Sequence, residues 1–317
     1  MNESHLKTLL WVVRLGGIGA AAQHLHMTQP AITRRMQELE RELGAPVLRR
    51  DGRNVVPTAL GVACLSGAER ILAEIAALRL AATGKEVSGT IRLGVGEVIA
   101  LTWFYRLHER IQDRYPKVRL EIDVDLSHRL LTKLLHDKID IALVPGPANL
   151  SRAIRTDLGA VSLEWIAAPR LIANRESEML SPQELADLPI LTLPHEANVH
   201  DVMTAWFEQA DVRMPRMHSC NSINVVASLV QRGMGISLLP PDLYREQLRT
   251  GTLVRIPVTV PLPKVSYTAV YTHSPGLSSA PELSVLPEIV AFAREESVFL
   301  GRGIASMAPA QAIARIA

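Results

Sequence analysis

Gln29, Thr33 and Arg34 lie at a spacing that, on a helix, stacks an amide, a hydroxyl and a guanidinium over one turn. Those groups do hydrogen-bonding chemistry of the kind that reads base edges in the major groove. Thr28 just before them is a residue type that caps helices. Pro30 falls in the first turn, where a missing N–H costs nothing. Further on, Arg49, Arg50 and Arg53 gather around Asp51-Gly52, a dipeptide that favours a two-residue hairpin turn. Arginines on such a tip suit phosphates or the minor groove and add affinity more than sequence choice. Bond-breaking chemistry finds weaker candidates. In His195-Glu196-x-x-x-His200 the second histidine stands one residue too far along to share a helix face with the first, and no third metal ligand is suggested. Gly94-Val95-Gly96 lacks the third glycine of a dinucleotide fingerprint, and the sequence has neither a Gly-x-Ser-x-Gly elbow nor a P-loop lysine.

The elements that must position the polar triplet read as two helices and a tight turn. Ala20-Ala21-Ala22 lets a neighbouring helix approach closely. Ile32, Met36, Leu39 and Leu43 then recur at helical spacing, and Gly44 ends the second helix. A preceding helix over 2–15 carries Leu6, Leu9, Leu10 and Val13. This is the layout of a helix-turn-helix reader, whose second helix offers its first residues to base edges. With Leu6-Lys7-Thr8-Leu9-Leu10 before it and the run from Ala45-Pro46-Val47-Leu48 to Val56-Pro57-Thr58-Ala59-Leu60-Gly61 after it, the stretch resembles the N-terminal winged helix-turn-helix of LysR-type transcriptional regulators. Turn, reader helix, wing and Thr58-x-x-Gly61 all fall in register. Gly17, Ile18 and Leu48 depart from the usual Ser, Phe and Phe of the family. The resemblance implies DNA contacts from Thr28, Gln29, Pro30, Thr33, Arg34, Arg50 and Arg53.

The net charge of +2 on 317 residues does not by itself mark a nucleic-acid protein. Its distribution does more, because residues 1–60 hold eight Lys/Arg against five acids and the remainder is slightly acidic. A hydrophobic content of 48% with 21% charged residues is that of an ordinary globular protein, long enough for two or three domains. The cysteines, Cys64 and Cys220, fall in segments assigned to different domains, so reduced thiols are expected, with Cys220 read as an inert buried thiol. Neither a signal peptide nor an apolar run of bilayer-spanning length is found in the sequence, and the expected location is the cytoplasm.

From Thr58 a helical segment runs toward Gly84, with Leu60, Cys64, Ile71, Ile75, Leu78 and Ala82 as an apolar stripe. Pairing with a second copy would cover that stripe; packing on its own domain is the competing reading. In the family this segment is the linker helix that dimerises. Thr83 to Gly89 reads as a hinge. Ile91 to Val95 reads as a strand, 98–115 as a helix, Val118 to Val124 as a strand of period two, and Ser127 as the cap of a helix through Leu135. Ile139 to Val144 reads as a strand buried on both faces, which makes a parallel sheet with right-handed crossovers. The pattern repeats loosely after 160. It has a capping box at Ser181-Pro182-Gln183-Glu184, a strand from Pro189 to Leu193, a helix from His200 to Ala210 and a helix capped by Asn221. Strands follow at Ile236 to Leu239 and Val265 to Tyr271, the latter expected to return to the first lobe, and then a final helix over 281–299. Residues 301–317 are expected frayed or loosely docked.

Two α/β lobes with two chain crossings resemble the periplasmic-binding-protein-like (type 2) effector domain of the same regulators. The matching strings are Tyr115-Pro116-Lys117-Val118, Ile139-Asp140-Ile141-Ala142, Leu185-Ala186-Asp187-Leu188-Pro189 and Gly233-Met234-Gly235-Ile236-Ser237-Leu238-Leu239-Pro240. Asp137 departs, standing where the family usually has Gly. The expected division is a winged helix-turn-helix at 1–60, linker and hinge at 61–88, an effector domain at 89–300 and a tail at 301–317. Lobe I would span about 89–164 and 266–300, and lobe II about 165–265. By the resemblance, the effector candidates are Glu97, Val98, Ser127, Pro145, Thr192, His195, Asn221 and Ser222, with helix capping an equal role for Ser127, Asn221 and Ser222. Val98 replaces a hydroxyl that binds a carboxylate in some relatives. Glu97 beside it hints at an effector with an amine or hydroxyl, or at a carboxylate turned to solvent. The expectation is a non-enzymatic, cofactor-free regulator whose partners are a dyad-symmetric operator, a small effector and itself, as a dimer or tetramer, with room for RNA polymerase. The alternative is a ligand-binding protein or enzyme with an incidental N-terminal helical domain.

Overall fold

The computed structural model describes residues 1–52, 54–83, 87–148, 150, 153–173, 179–213, 215–272 and 281–300. Arg53, the hinge residues 84–86 and the tail 301–317 lie outside the described residues, as does the side chain of Ala82. The chain falls into two compact units, one built on residues 1–89 with 281–288, the other on 90–272 with 289–300.

In the first unit, α1 (Glu3–Arg14) is capped by the Asn2 side chain, which accepts the His5 N–H at 3.0 Å. The short α2 (Ile18–His24) and the reader α3 (Gln29–Leu43) pack on it around Leu9, Val12, Ala21, Ala22, Ile32, Met36 and Leu39. Ala21 and Ala22 are both buried, so the alanine run does bring the helices close. His26 takes the left-handed conformation (φ 52°) that folds α2 back to α3, and Gly44 (φ 74°) closes α3. Thr28 sits at the N-cap of α3, yet its side chain makes no capping hydrogen bond, in contrast to the expected cap. Gly17 likewise offers α2 no side-chain cap.

The wing is β1 (Leu48–Asp51) paired antiparallel with β2 (Asn54–Pro57), with Asp51 opposite Asn54. Asp51 is therefore not a turn residue, in contrast to the Asp51-Gly52 expectation. It remains in the ladder, and Gly52 after it takes a positive φ of 60°. The helix α4 (Ala59–Thr83) has two apolar sides. Ala68 and Leu72 are buried against Leu6 and Leu10 of α1, whereas Ile71 (42%) and Leu78 (70%) of the stripe are exposed. Both readings of this helix thus have residues to serve them, on different faces.

The second unit begins with β3 (Gly89–Val95), α5 (Glu97–Thr102), α6 (Phe104–Arg114), β4 (Val118–Val124), α7 (Ser127–Leu135), β5 (Ile141–Pro145) and β6 (Ile154–Val161). The chain crosses to a second lobe made of β7 (Glu164–Ala167), α8 (Pro169–Ile172), α9 (Pro182–Ala186), β8 (Ile190–Thr192), α10 (Asn198–Gln209) and β9 (Met217–Ser219). That lobe continues with α11 (Ile223–Gln231), β10 (Ser237–Leu239), α12 (Arg245–Arg249) and β11 (Val254–Ile256). The chain then returns through β12 (Val265–Tyr271), and α13 (Leu286–Glu296) is the last long helix described.

The first lobe's sheet has the order β4-β3-β5-β12-β6, and the second lobe's main sheet the order β10-β7-β11. The former is mixed, not wholly parallel: β3 and β5 are parallel, whereas β12 runs antiparallel to both β5 and β6. The expected helix over 98–115 is two helices, broken at Trp103. The Trp103 ring is fully buried, and the Thr102 hydroxyl bonds back to the carbonyls of Val98 (2.7 Å) and Ile99 (3.3 Å), which ends α5. Four strands, β6, β7, β9 and β11, escaped the sequence reading. β6 alternates Ile154, Thr156 and Leu158 with Arg155 and Asp157, and β7 follows after a short crossing. Asp137 does adopt the left-handed conformation (φ 54°) usually given to Gly. The capping box at Ser181 and Glu184 is formed in both directions.

Candidate nucleic-acid interface and ligand cavity

The first turn of α3 stands open on the surface of the first unit. Thr28, Gln29, Pro30 and Arg34 are exposed and Thr33 is half-buried. Gln29 lies against α2, where its Nε2 would be 3.2 Å from a Cβ on Gly19. Thr33 donates its hydroxyl to the Gln29 carbonyl at 3.0 Å, and the Arg34 Nε donates to Glu38 at 2.9 Å. Arg34, with the His5 ring as a lesser partner, holds the Glu38 carboxyl below the usual carboxylate range against a smaller opposing effect of burial. Glu40, on the same helix, accepts the N–H groups of Val47 (2.9 Å) and Leu48 (3.2 Å) and so fixes where the wing leaves α3. The Val55 N–H donates to the Gly16 carbonyl at 3.0 Å, tying the other wing strand to the α1–α2 turn. Arg49 and Arg50 are exposed on β1. A cation-bearing hairpin beside an open, polar helix end can take up phosphates and base edges together.

The second unit holds a cavity of about 260 Å³ between its lobes. Of the effector candidates, Glu97, Val98, Ser127, Pro145, Asn221 and Ser222 line it. Thr192 and His195 do not. Thr192 is buried with its hydroxyl unpartnered, and neighbouring residues of an extended segment point to opposite sides, so it is Leu193 that reaches the cavity. The His195 side chain is 81% exposed, beside Glu196 at 3.4 Å.

The helix caps differ from expectation at two places. Leu126, not Ser127, is the N-cap of α7. The Ser127 hydroxyl instead reaches the other lobe, accepting the Asn198 N–H at 3.0 Å and donating to the Glu196 carbonyl at 3.4 Å. Ser222, not Asn221, caps α11. Beside Ser127, the His128 N–H donates to the Glu196 carbonyl (3.0 Å), and Arg129 pairs with the Glu196 carboxylate at 2.8 Å. The latter holds the Glu196 carboxyl below its ordinary range. On the far side, Glu97 accepts from the Ser222 hydroxyl (2.8 Å) and the Ile223 N–H (2.7 Å). It is turned into the molecule rather than to solvent.

Asn198, Tyr267, Val265 and Leu163 also line the cavity and were not anticipated. Asn198 opens α10 two residues before the expected start. Val265 and Tyr267 open an antiparallel strand, so the end of β12 at the cleft is its amino end, with Tyr267 opposite Pro145. Burial pushes the Tyr267 hydroxyl well above its ordinary pKa. A second cavity of about 330 Å³ shares Val98 and Pro240 with the first and includes Lys264 and Asp242. Among the described residues no group of three or more His, Cys, Asp or Glu is placed to hold a metal ion.

A family model described as "LysR substrate binding domain" matches residues 84–283, and one described as "Bacterial regulatory helix-turn-helix protein, lysR family" matches residues 4–62. The HTH-type transcriptional regulator YofA of Bacillus velezensis is 28% identical over 250 residues, covering 77% of this chain and 83% of the relative. The HTH-type transcriptional regulator AlsR of Bacillus subtilis is 26% identical over 244 residues, covering 76% and 80%. Both are named as regulators, not as enzymes. In fold, the chain is similar to ArgP from Mycobacterium tuberculosis (TM-score 0.56, 20% identity, 94% of this chain and 97% of that one). It is also similar to full-length LysG from Corynebacterium glutamicum with bound effector Arg (TM-score 0.55, 19% identity, 93% and 99%). The chain belongs to the LysR family of bacterial regulatory helix-turn-helix proteins, DNA-binding transcriptional regulators that carry an effector-binding domain.

Proposed function

We propose that this regulator binds a dyad-symmetric operator as a homo-oligomer and changes its grip when a small molecule enters the cavity between the lobes of the second unit. The observation that carries the reading is the open first turn of α3, with its polar side chains, on a core that also holds the arginine-bearing wing. Gln29, Thr33 and Arg34 are assigned to base edges, Thr28 and Pro30 to the adjoining backbone, and Arg50 and Arg53 to phosphates or the minor groove. Glu97, Val98, Ser127, Pro145, Asn221 and Ser222 are assigned to the effector cavity, whereas Thr192 and His195 are left out. The Arg effector bound to LysG of Corynebacterium glutamicum supports a small-molecule role for this fold. The exposed stripe at Ile71 and Leu78 is assigned to self-association. Residues 1–60 would read DNA, 61–88 link and pair, and 89–300 sense. No helix is long and apolar enough to cross a membrane among the described residues. The protein would act in the cytoplasm, on promoters used by RNA polymerase.

Gln29→Ala should reduce discrimination between operator and random duplex by about 1–3 kcal/mol, the value of one good base contact. Competition binding across single-base operator variants reads this directly. Unchanged relative affinities would remove Gln29 from base reading. Arg50→Ala should weaken all duplexes alike and flatten log affinity against log salt by about 0.9 for each phosphate that the arginine neutralises. A loss confined to one sequence would make Arg50 a base or groove reader instead.

A further inference from the structure

The cavity in the second unit is charged with one sign. Glu97 and Asp125 line it, and among its described lining residues there is neither Lys nor Arg. Asp125 is already engaged, accepting from the Lys133 ammonium at 2.8 Å and from the Leu126 N–H at 2.8 Å. Burial raises its pKa, but Lys133, the Leu126 N–H and Arg129 together outweigh burial and the net shift is downward, which keeps it an anion. Glu97 sits at the start of a helix across the cleft. Its two oxygens take the Ser222 hydroxyl and the Ile223 N–H, at the start of the nine-residue α11. Unpaired N–H groups at a helix start are where a ligand's carboxylate or phosphate would be drawn. Here the chain's own carboxylate is seated there, carried across the cleft from α5. The wall beside it is apolar, with Val98, Val124, Leu163, Leu193 and Val265. A ligand anion would lose its hydration against that wall and meet the Glu97 carboxylate, with no Lys or Arg among the described lining residues to pair with it.

We propose that Glu97 serves as the cleft's internal anion, so that the effector is an uncharged or amine-bearing small molecule with an apolar body and no carboxylate or phosphate. This rests on reading the cavity as the effector site. It makes the Glu97 side chain a specificity determinant, because the helix start becomes an anion seat once that side chain is removed.

The test uses the full chain and benzoate, an apolar ring with one carboxylate, titrated at constant ionic strength and followed by calorimetry and thermal shift. The parent should show no saturable benzoate binding beyond that of chloride. Glu97→Ala should gain it, by about tenfold or more in affinity, the scale of one charge-assisted hydrogen bond. Glu97→Gln, whose amide oxygen can still accept from the Ile223 N–H while its NH2 donates to the Ser222 hydroxyl oxygen, keeps the helix start filled and should behave like the parent. If Glu97→Ala does not fold, Glu97→Ser is put to the same titration. Benzoate binding that is equal in parent and variant, including none in either, overturns the assignment of Glu97. Operator affinity measured in the same samples separates the two levels. A gain of benzoate binding without a change in DNA affinity upholds the Glu97 seat and counts against the cavity as the regulatory site.

Discussion

Gly61→Ala is expected to destabilise the first unit by about 3 kcal/mol or more, at or above the upper end of ordinary overpacking costs, and to abolish operator binding. A Cβ at position 61 would run into the carbonyl oxygen of Val47 and lie 3.1 Å from the Pro57 Cβ. Neither neighbour can retreat. The Val47 carbonyl accepts the Thr58 N–H at 3.0 Å, and the Val47 N–H is held by Glu40. The Thr58 hydroxyl bridges the Pro46 carbonyl (2.9 Å) and the Gly61 N–H (3.0 Å), so wing exit and helix start are one tied structure. That is the physical content of Thr58-x-x-Gly61. Urea unfolding followed through Trp11, the tryptophan in this unit, measures the effect. An unchanged midpoint would mean that α4 can shift away from the wing at little cost.

Asp140→Ala is expected to destabilise the second unit by about 3 kcal/mol, near the low end for breaking a buried ion pair because Arg92 keeps access to water. Asp140 is 1% exposed. It takes three hydrogen bonds from one residue: the Arg92 backbone N–H (2.8 Å), Nε (3.2 Å) and Nη2 (2.6 Å). Asp140, chiefly through these side-chain hydrogen bonds, pushes the Arg92 guanidinium pKa above its ordinary value. The pair joins β3 to the chain entering β5, the two strands whose carboxyl ends carry Glu97 and Pro145 toward the cavity. Thermal unfolding compared with Asp140→Asn separates charge from shape, with the amide expected to recover part of the loss. An alanine variant as stable as the parent would show that water replaces the carboxylate without penalty.

The DNA-reading unit was legible because its information is local. Helical spacing of Ile32, Met36 and Leu39, a buried alanine pair and Gly44 act within a few residues of one another, and the structure keeps each of them in that role. The cavity was half legible for a different reason. Residues that follow parallel strands or begin helices could be placed by topology, which brought Glu97, Val98, Ser127, Pro145, Asn221 and Ser222 to one place. Tyr267 and Val265 could not, because their strand is antiparallel and presents its other end. For Glu97 the sequence suggested an effector with an amine or hydroxyl, but not what the carboxylate itself holds. Its partners Ser222 and Ile223 are more than a hundred residues away, and only the packed lobes bring them within 3 Å.

The proposed mechanism stands or falls on α3 of two copies reading the two halves of one operator. Selection of bound duplexes from a random DNA pool by the full chain is the decisive experiment. The expected outcome is enrichment of an inverted repeat whose half-sites are spaced by about one helical turn or a multiple of it, with Gln29→Ala relaxing the choice at symmetric positions in both halves. Enrichment of a lone, asymmetric site, or of no sequence above background, would contradict it.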